Sequence, residues 1–129
     1  MPPIIGKKPA SLWRSAAGMF VGVLSAAVLM IGTNVRLAAV MSPTSALFLA
    51  VTLTCAAIYH GAGGYLCATI ARDSGLATAG MMVLGTGLLM GSVIQTWARM
   101  PAWYSVAMVA LVPLALYLGA RAHAVRSVL

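Results

Sequence analysis

The chain has 129 residues, of which 62% are hydrophobic and only 7% are charged. A soluble domain carries about 25% charged residues, so this composition excludes a water-exposed globular surface. The net charge of +7 is scattered near the ends of apolar runs. This scattering excludes the clustered basic face of a nucleic-acid-binding protein and favours contact with a lipid bilayer that contains anionic headgroups.

Four apolar runs fill most of the chain. Each is long enough to cross a hydrocarbon layer of ~30 Å as a helix, and none alternates as the strands of a membrane barrel do. Because lipid offers the backbone no partner, each run must satisfy its own hydrogen bonds. The sequence therefore predicts an all-α membrane protein, a single domain over residues 1–129, with four transmembrane helices in an antiparallel bundle. The predicted spans are 15–36, 45–71, 76–98 and 102–120.

The first predicted span follows a short basic tail that contains prolines. Its apolar run is longer than that of a secretory signal peptide, so we expect a retained helix. The pattern Gly18-x-x-x-Gly22 places two residues without side chains on one face of this helix. Such a face lets a second helix approach closely.

The second predicted span carries the densest glycine cluster of the chain, Tyr59–Cys67. It begins at Ser42–Ser45, where hydroxyl groups and a proline form a helix-start signal. His60, Gly63 and Gly64 fall on a small, polar face of this helix, which predicts a packing surface.

The third and fourth predicted spans differ in side-chain size. The third follows a short loop with the only acid, Asp73, and carries a second small pair, Gly87-x-x-x-Gly91. The fourth has larger side chains and contains Pro113, which removes a backbone donor and predicts a kink. We expect the first three helices to pack through their small residues and the fourth to be more peripheral. The residues predicted at the contacts are Gly18, Gly22, His60, Gly63, Gly64, Gly87 and Gly91.

Basic residues indicate the orientation. The two terminal tails and the second loop together hold six Lys and Arg residues, whereas the opposite side holds only Arg36 and Arg99. The positive-inside rule therefore predicts that both termini are cytoplasmic. Aromatic residues near the span ends are expected to anchor the protein at the membrane interfaces. These residues are Trp13, Trp97, Trp103, Tyr104 and Tyr117.

Two passages have a familiar pattern. Residues 63–71, GGYLCATIA, resemble the GG-aromatic-LAAxIA end of a second helix. Residues 100–104, MPAWY, followed by Pro113 and Leu118-Gly119, resemble a PxWY…P…LG fourth helix. Through these two passages, the second half of the chain resembles a family of small, uncharacterised four-helix proteins of the bacterial inner membrane. The resemblance implies that fold and that location, and it implies no functional residue.

The sequence contains few patterns that indicate enzymatic activity or cofactor binding. The sequence has no recognisable nucleophile–base–orienter set and no phosphate-binding loop, so we expect no enzyme. The chain is similar in size to the small multidrug-resistance exporters, but it contains no glutamate, on which their proton exchange depends. The methionines form no repeated ligand pattern, so no metal site is expected. A bis-histidine haem site would need a second chain, and no cofactor is predicted.

His60 leaves two interpretations open. Intramembrane ionisable residues are often functional, and Ser25 and Thr86 fall at comparable depth, so one interpretation is a polar midplane site of these three residues. The other is a neutral histidine that is hydrogen-bonded across a helix interface. For function, the sequence favours an accessory or scaffolding subunit that associates with other membrane subunits or with itself. The alternative is a small homo-oligomeric transporter or channel that uses the His60 site.

Overall fold

The computed structural model of the protein describes residues 11–72 and 75–129, and these ranges contain four helices and no strand. All four helices are long and apolar enough to cross a membrane. The prediction of an all-α, multi-pass membrane protein is therefore confirmed. The helices are α1 (Leu12–Ala38), α2 (Ala46–Ala71), α3 (Gly75–Thr96) and α4 (Ala102–Arg126).

Hydroxyl caps determine where α1 and α2 begin. The side chain of Ser11 accepts a hydrogen bond from the backbone N–H of Arg14 at 3.3 Å, and that of Ser45 accepts one from Phe48 at 3.2 Å. These bonds satisfy N–H groups that have no partner within the helix. At the other end of α2, Arg72 adopts a left-handed conformation with a φ of 53°, which ends the helix.

The helices extend further than two of the predicted spans. α1 begins before residue 15 and ends after residue 36, and α4 continues to Arg126 through the segment predicted as a basic tail. Hydropathy marks where the apolar core ends, whereas a helix continues until its backbone is capped or turned. The predicted N-terminal tail, residues 1–10, and the predicted loop acid Asp73 lie outside the described residues.

α2 is the central helix of the bundle. It packs closely against α1 on one side and α4 on the other, while α1 and α4 are not adjacent in the described chain. α3 leans on both α1 and α4 but packs only loosely against α2. The prediction that α4 is the peripheral helix is therefore wrong, because α3 holds that position.

The contact between α1 and α2 is built from residues with small side chains. A Cβ atom on Gly22 would lie 2.6 Å from the carbonyl oxygen of Gly63, and one on Gly18 would lie 2.8 Å from that of Cys67. Gly18 also lies against Ala71, so the facing residues run in opposite order and the two helices are antiparallel. The two backbones can meet only because these glycines carry no side chain.

The contact between α2 and α4 uses a second small face of α2. A Cβ atom on Gly119 would lie 2.8 Å from the carbonyl carbon of Gly61, and one on Gly64 would also meet the α4 backbone, 3.0 Å from a carbonyl carbon. One turn beyond Gly61 and Gly119, the ring of Tyr65 meets that of His123 edge-on, with 5.1 Å between centroids. The pairing advances in the same direction on both helices, so α2 and α4 are parallel.

The predicted packing role of Gly87 and Gly91 within the bundle is also wrong. Both residues are exposed, and within residues 11–72 and 75–129 no atom lies within 4 Å of a Cβ atom built on either. A small-residue pair permits close approach but does not choose the neighbour. Here the second small face of α2 is occupied by α4, through Gly64 and Gly119, which leaves the α3 pair without a partner helix.

Candidate functional site

A cavity of about 400 Å³ lies between the four helices, and each helix contributes to its lining. The cavity extends from His60 and Gly85, near the middle of the bundle, towards Thr96 and Met100, where α3 gives way to α4. Most of the lining side chains are apolar. The polar lining residues are Asn34, His60, Ser92, Thr96, Tyr104 and Ser105.

His60 is held by its own helix. Its Nδ1 atom lies 2.8 Å from the carbonyl oxygen of Ala56, one turn earlier in α2. A carbonyl oxygen only accepts hydrogen bonds, so Nδ1 carries the hydrogen and donates it. In the neutral ring, Nε2 is then a hydrogen-bond acceptor on a residue that lines the cavity. The hydrogen bond expected across a helix interface is therefore found within α2 instead.

Asn34 supplies a second acceptor. Its Oδ1 atom is buried and has no hydrogen-bond partner, and it is the one side-chain nitrogen or oxygen in this state within residues 11–72 and 75–129. Leaving a buried acceptor unsatisfied costs about 1–3 kcal/mol. Asn34 lines the cavity, but this oxygen atom is closed off from solvent, so it lies behind the cavity wall and not on its surface.

The structure separates the three residues of the predicted midplane site. Ser25 donates its hydroxyl hydrogen to the carbonyl oxygen of Gly22, 3.1 Å away in the same helix. Neither Ser25 nor Thr86 lines the cavity, whereas His60 does. Similar distances from the span ends place residues at similar depth in the membrane, but the rotation of each helix determines which residues share a cavity.

Sequence reasoning missed Asn34 as a site residue. Asn34 lies near the end of the first predicted span, and Val23, Ala27, Met30 and Asn34 recur at intervals of three or four residues. All four line the cavity. The helical spacing therefore indicates that these four residues share one face of α1. It does not indicate that this face, rather than the glycine face, borders a cavity.

Tyr104 is not an interface anchor. It is 9% exposed and lines the cavity, and its hydroxyl group interacts with the side chain of Thr52. Thr52 in turn donates to the carbonyl oxygen of Phe48 at 2.7 Å. The contact with α2 therefore turns this aromatic ring into the bundle. The other predicted anchors are exposed, as an anchor requires: Trp13, Trp97, Trp103 and Tyr117.

The face of α3 that points away from the bundle forms a second candidate surface. We define the α3 outer face as Val83, Gly87, Met90, Gly91 and Ile94, all of which are exposed. They recur at three- and four-residue intervals, so they form one continuous stripe. The open glycine pair makes a notch in the middle of this stripe.

The fold and the cavity define the protein as a small four-helix membrane protein with a mostly apolar internal pocket. Compared with known proteins, the chain matches no family model, no curated protein and no solved structure.

Proposed function

We propose that the protein is an accessory or scaffolding subunit of a larger membrane assembly and that it associates through the α3 outer face. The observation that supports this proposal is the exposed pair Gly87 and Gly91, one turn apart with open space above both. A glycine within a helix costs about 1 kcal/mol relative to alanine. Contact with lipid chains does not require a gap in the helix surface, whereas a second helix can bring its backbone close only where side chains are absent.

The other glycines of the bundle show what such a pair does in this chain. Gly18 and Gly22 receive the backbone of α2, and Gly64 and Gly119 join α2 to α4. Gly87 and Gly91 repeat the spacing of the α1 pair but face outward. The partner is therefore a helix of another membrane subunit or of a second copy of the chain.

The proposal includes a place and an orientation: the bacterial inner membrane, with both termini in the cytoplasm. The excess of basic residues on the side of the termini, six against two, supports the orientation. The family resemblance of the second half of the chain supports the location. A reporter fused after Leu129 should be active in the cytoplasm, and activity outside would overturn this orientation.

Leucine substitutions test the α3 outer face. Gly87→Leu and Gly91→Leu fill the notch, whereas Gly32→Leu makes the same change at an open, exposed glycine of α1. Native mass spectrometry of assemblies extracted from the original membranes would measure the partner content. We expect the two α3 variants to lose their partner and the Gly32→Leu control to keep it, with equal helix content by circular dichroism. Unchanged assemblies in the α3 variants would contradict the proposal.

The cavity favours a second candidate function, a small homo-oligomeric transporter that binds its substrate near His60. At the end of the cavity away from Thr96 and Met100, a tightly packed cluster closes the bundle. Its members Cys67, Met81 and Val112 are fully buried. A pocket that ends at such a cluster favours a binding step over an open pore within one chain.

Flux into liposomes tests this second function. Osmotic swelling with a set of small neutral solutes would measure transport by the reconstituted protein. Ala27→Phe places a ring in the cavity, whereas Val28→Phe places the same ring on the neighbouring residue, which is 67% exposed. We expect swelling faster than in protein-free liposomes, reduced by Ala27→Phe but not by Val28→Phe. Swelling no faster than in protein-free liposomes would contradict transport of these solutes.

A further inference from the structure

The chemistry of the cavity restricts what it can bind. None of the described residues that line it is charged. A charged molecule would leave water without gaining a counter-charge, and burial of an unpaired charge is strongly unfavourable. The occupant is therefore neutral. The apolar majority of the lining favours a molecule that is itself mostly apolar, and the volume of about 400 Å³ is within the range of small-molecule pockets.

The hydrogen-bonding character of the lining side chains restricts the occupant further. Nε2 of His60 is an acceptor because Nδ1 donates to Ala56. Thr96 already donates its hydroxyl hydrogen to the backbone oxygen of Ser92 at 3.0 Å, so its free capacity is also that of an acceptor. A molecule that donates a hydrogen bond therefore complements both side chains.

We propose that the cavity binds a neutral, lipid-soluble molecule with a hydroxyl group, whose hydrogen is donated to Nε2 of His60. The inference rests on the second candidate function, in which the cavity is a binding site. A hydroxyl group on an apolar body matches both the acceptors and the apolar walls. The membrane concentrates such molecules next to the bundle.

The two histidines of the chain allow a direct measurement. His60 lines the cavity, whereas His123 packs against Tyr65 and does not. Protein labelled with ¹⁵N-histidine in lipid nanodiscs would be titrated with 4-hexylphenol, which has a hydroxyl donor. The matched probe is 4-hexylanisole, in which a methyl group replaces the donated hydrogen. The ¹⁵N spectrum of the free protein also reports whether Nε2 of His60 is unprotonated.

We expect 4-hexylphenol to shift the Nε2 resonance of His60 in a saturable way and to leave His123 unchanged. The anisole should leave both histidines unchanged. Ser25→Ala, outside the cavity, should bind the phenol as the original chain does.

Three results would overturn the inference. They are no shift at saturating phenol, equal shifts with phenol and anisole, and equal shifts at His60 and His123. None of these results bears on the two proposed functions, which have their own tests. Transport would still be supported if Ala27→Phe reduced flux, and the subunit role would still be supported if the α3 variants lost their partner. The ligand class and the proposed functions therefore fail separately.

Discussion

Gly119→Ala should weaken the contact between α2 and α4, and its effect on stability tests how the bundle is held together. The new methyl group would meet backbone atoms of Gly61, with the carbonyl carbon at 2.8 Å and the Cα atom at 3.0 Å. Backbone atoms cannot rotate away as the end of a side chain can. One of the two helices must therefore shift.

The magnitude follows from two opposing effects. Forcing one extra carbon into a packed contact costs about 1–3 kcal/mol. Replacing glycine by alanine within a helix contributes about 0.5–1 kcal/mol in the other direction. The midpoints of these two ranges, about 2 and about 0.75 kcal/mol, leave a net expected loss of about 1 kcal/mol in the free energy of unfolding.

Gly32→Ala is the matched control. Gly32 lies in α1, and no atom of the described part of the chain lies within 4 Å of a built Cβ atom, so only the helix-propensity gain remains there. Titration of the purified protein from a mild detergent into sodium dodecyl sulfate, followed by circular dichroism, would give both free energies. The two variants should move in opposite directions. Gly119→Ala as stable as the original chain would refute the parallel α2–α4 contact.

Two further substitutions use the same titration. Asn34→Leu should stabilise the empty protein by about 1 kcal/mol, because it removes a buried acceptor without a partner, and a loss of stability would show that Oδ1 is satisfied in the folded state. Thr33 and Tyr59 share a hydrogen bond of 2.9 Å between α1 and α2. The double-mutant cycle of Thr33→Val and Tyr59→Phe should give a coupling of about 0.6 kcal/mol, the average for such bonds in membranes. A coupling of zero would indicate that the two hydroxyl groups do not interact.

The glycine cluster of α2 illustrates how far the sequence leads. Its density predicted a helix that meets close neighbours, and Gly63 and Gly64 both lie at helix contacts in the structure. The pattern did not reveal that the two residues face different helices. Gly63 faces α1 and Gly64 faces α4. Adjacent residues on a helix point in directions about 100° apart, so one short cluster supplies two packing faces.

Tyr104, His60 and Asn34 show what the sequence does not predict, namely which residues of different helices come together. Tyr104 stands at the start of α4, where an interface anchor is expected, yet its contact with Thr52 turns it into the bundle. His60 was recognised as unusual, but its companion Asn34 was not, since the two lie on different helices. Spacing along the chain carries no information about which faces of two separate helices border one cavity.

The sequence by itself determined the number of helices, their approximate spans and their membrane character. These are properties of each segment alone, because the length of an apolar run and the needs of the backbone in lipid are both local. The tertiary structure decided that α2 is central, that α3 leaves its glycine pair uncovered and that His60 and Asn34 share a pocket. The reason is physical: helices in lipid pair by close fit of their surfaces, and fit depends on the rotation and neighbours of every helix at once.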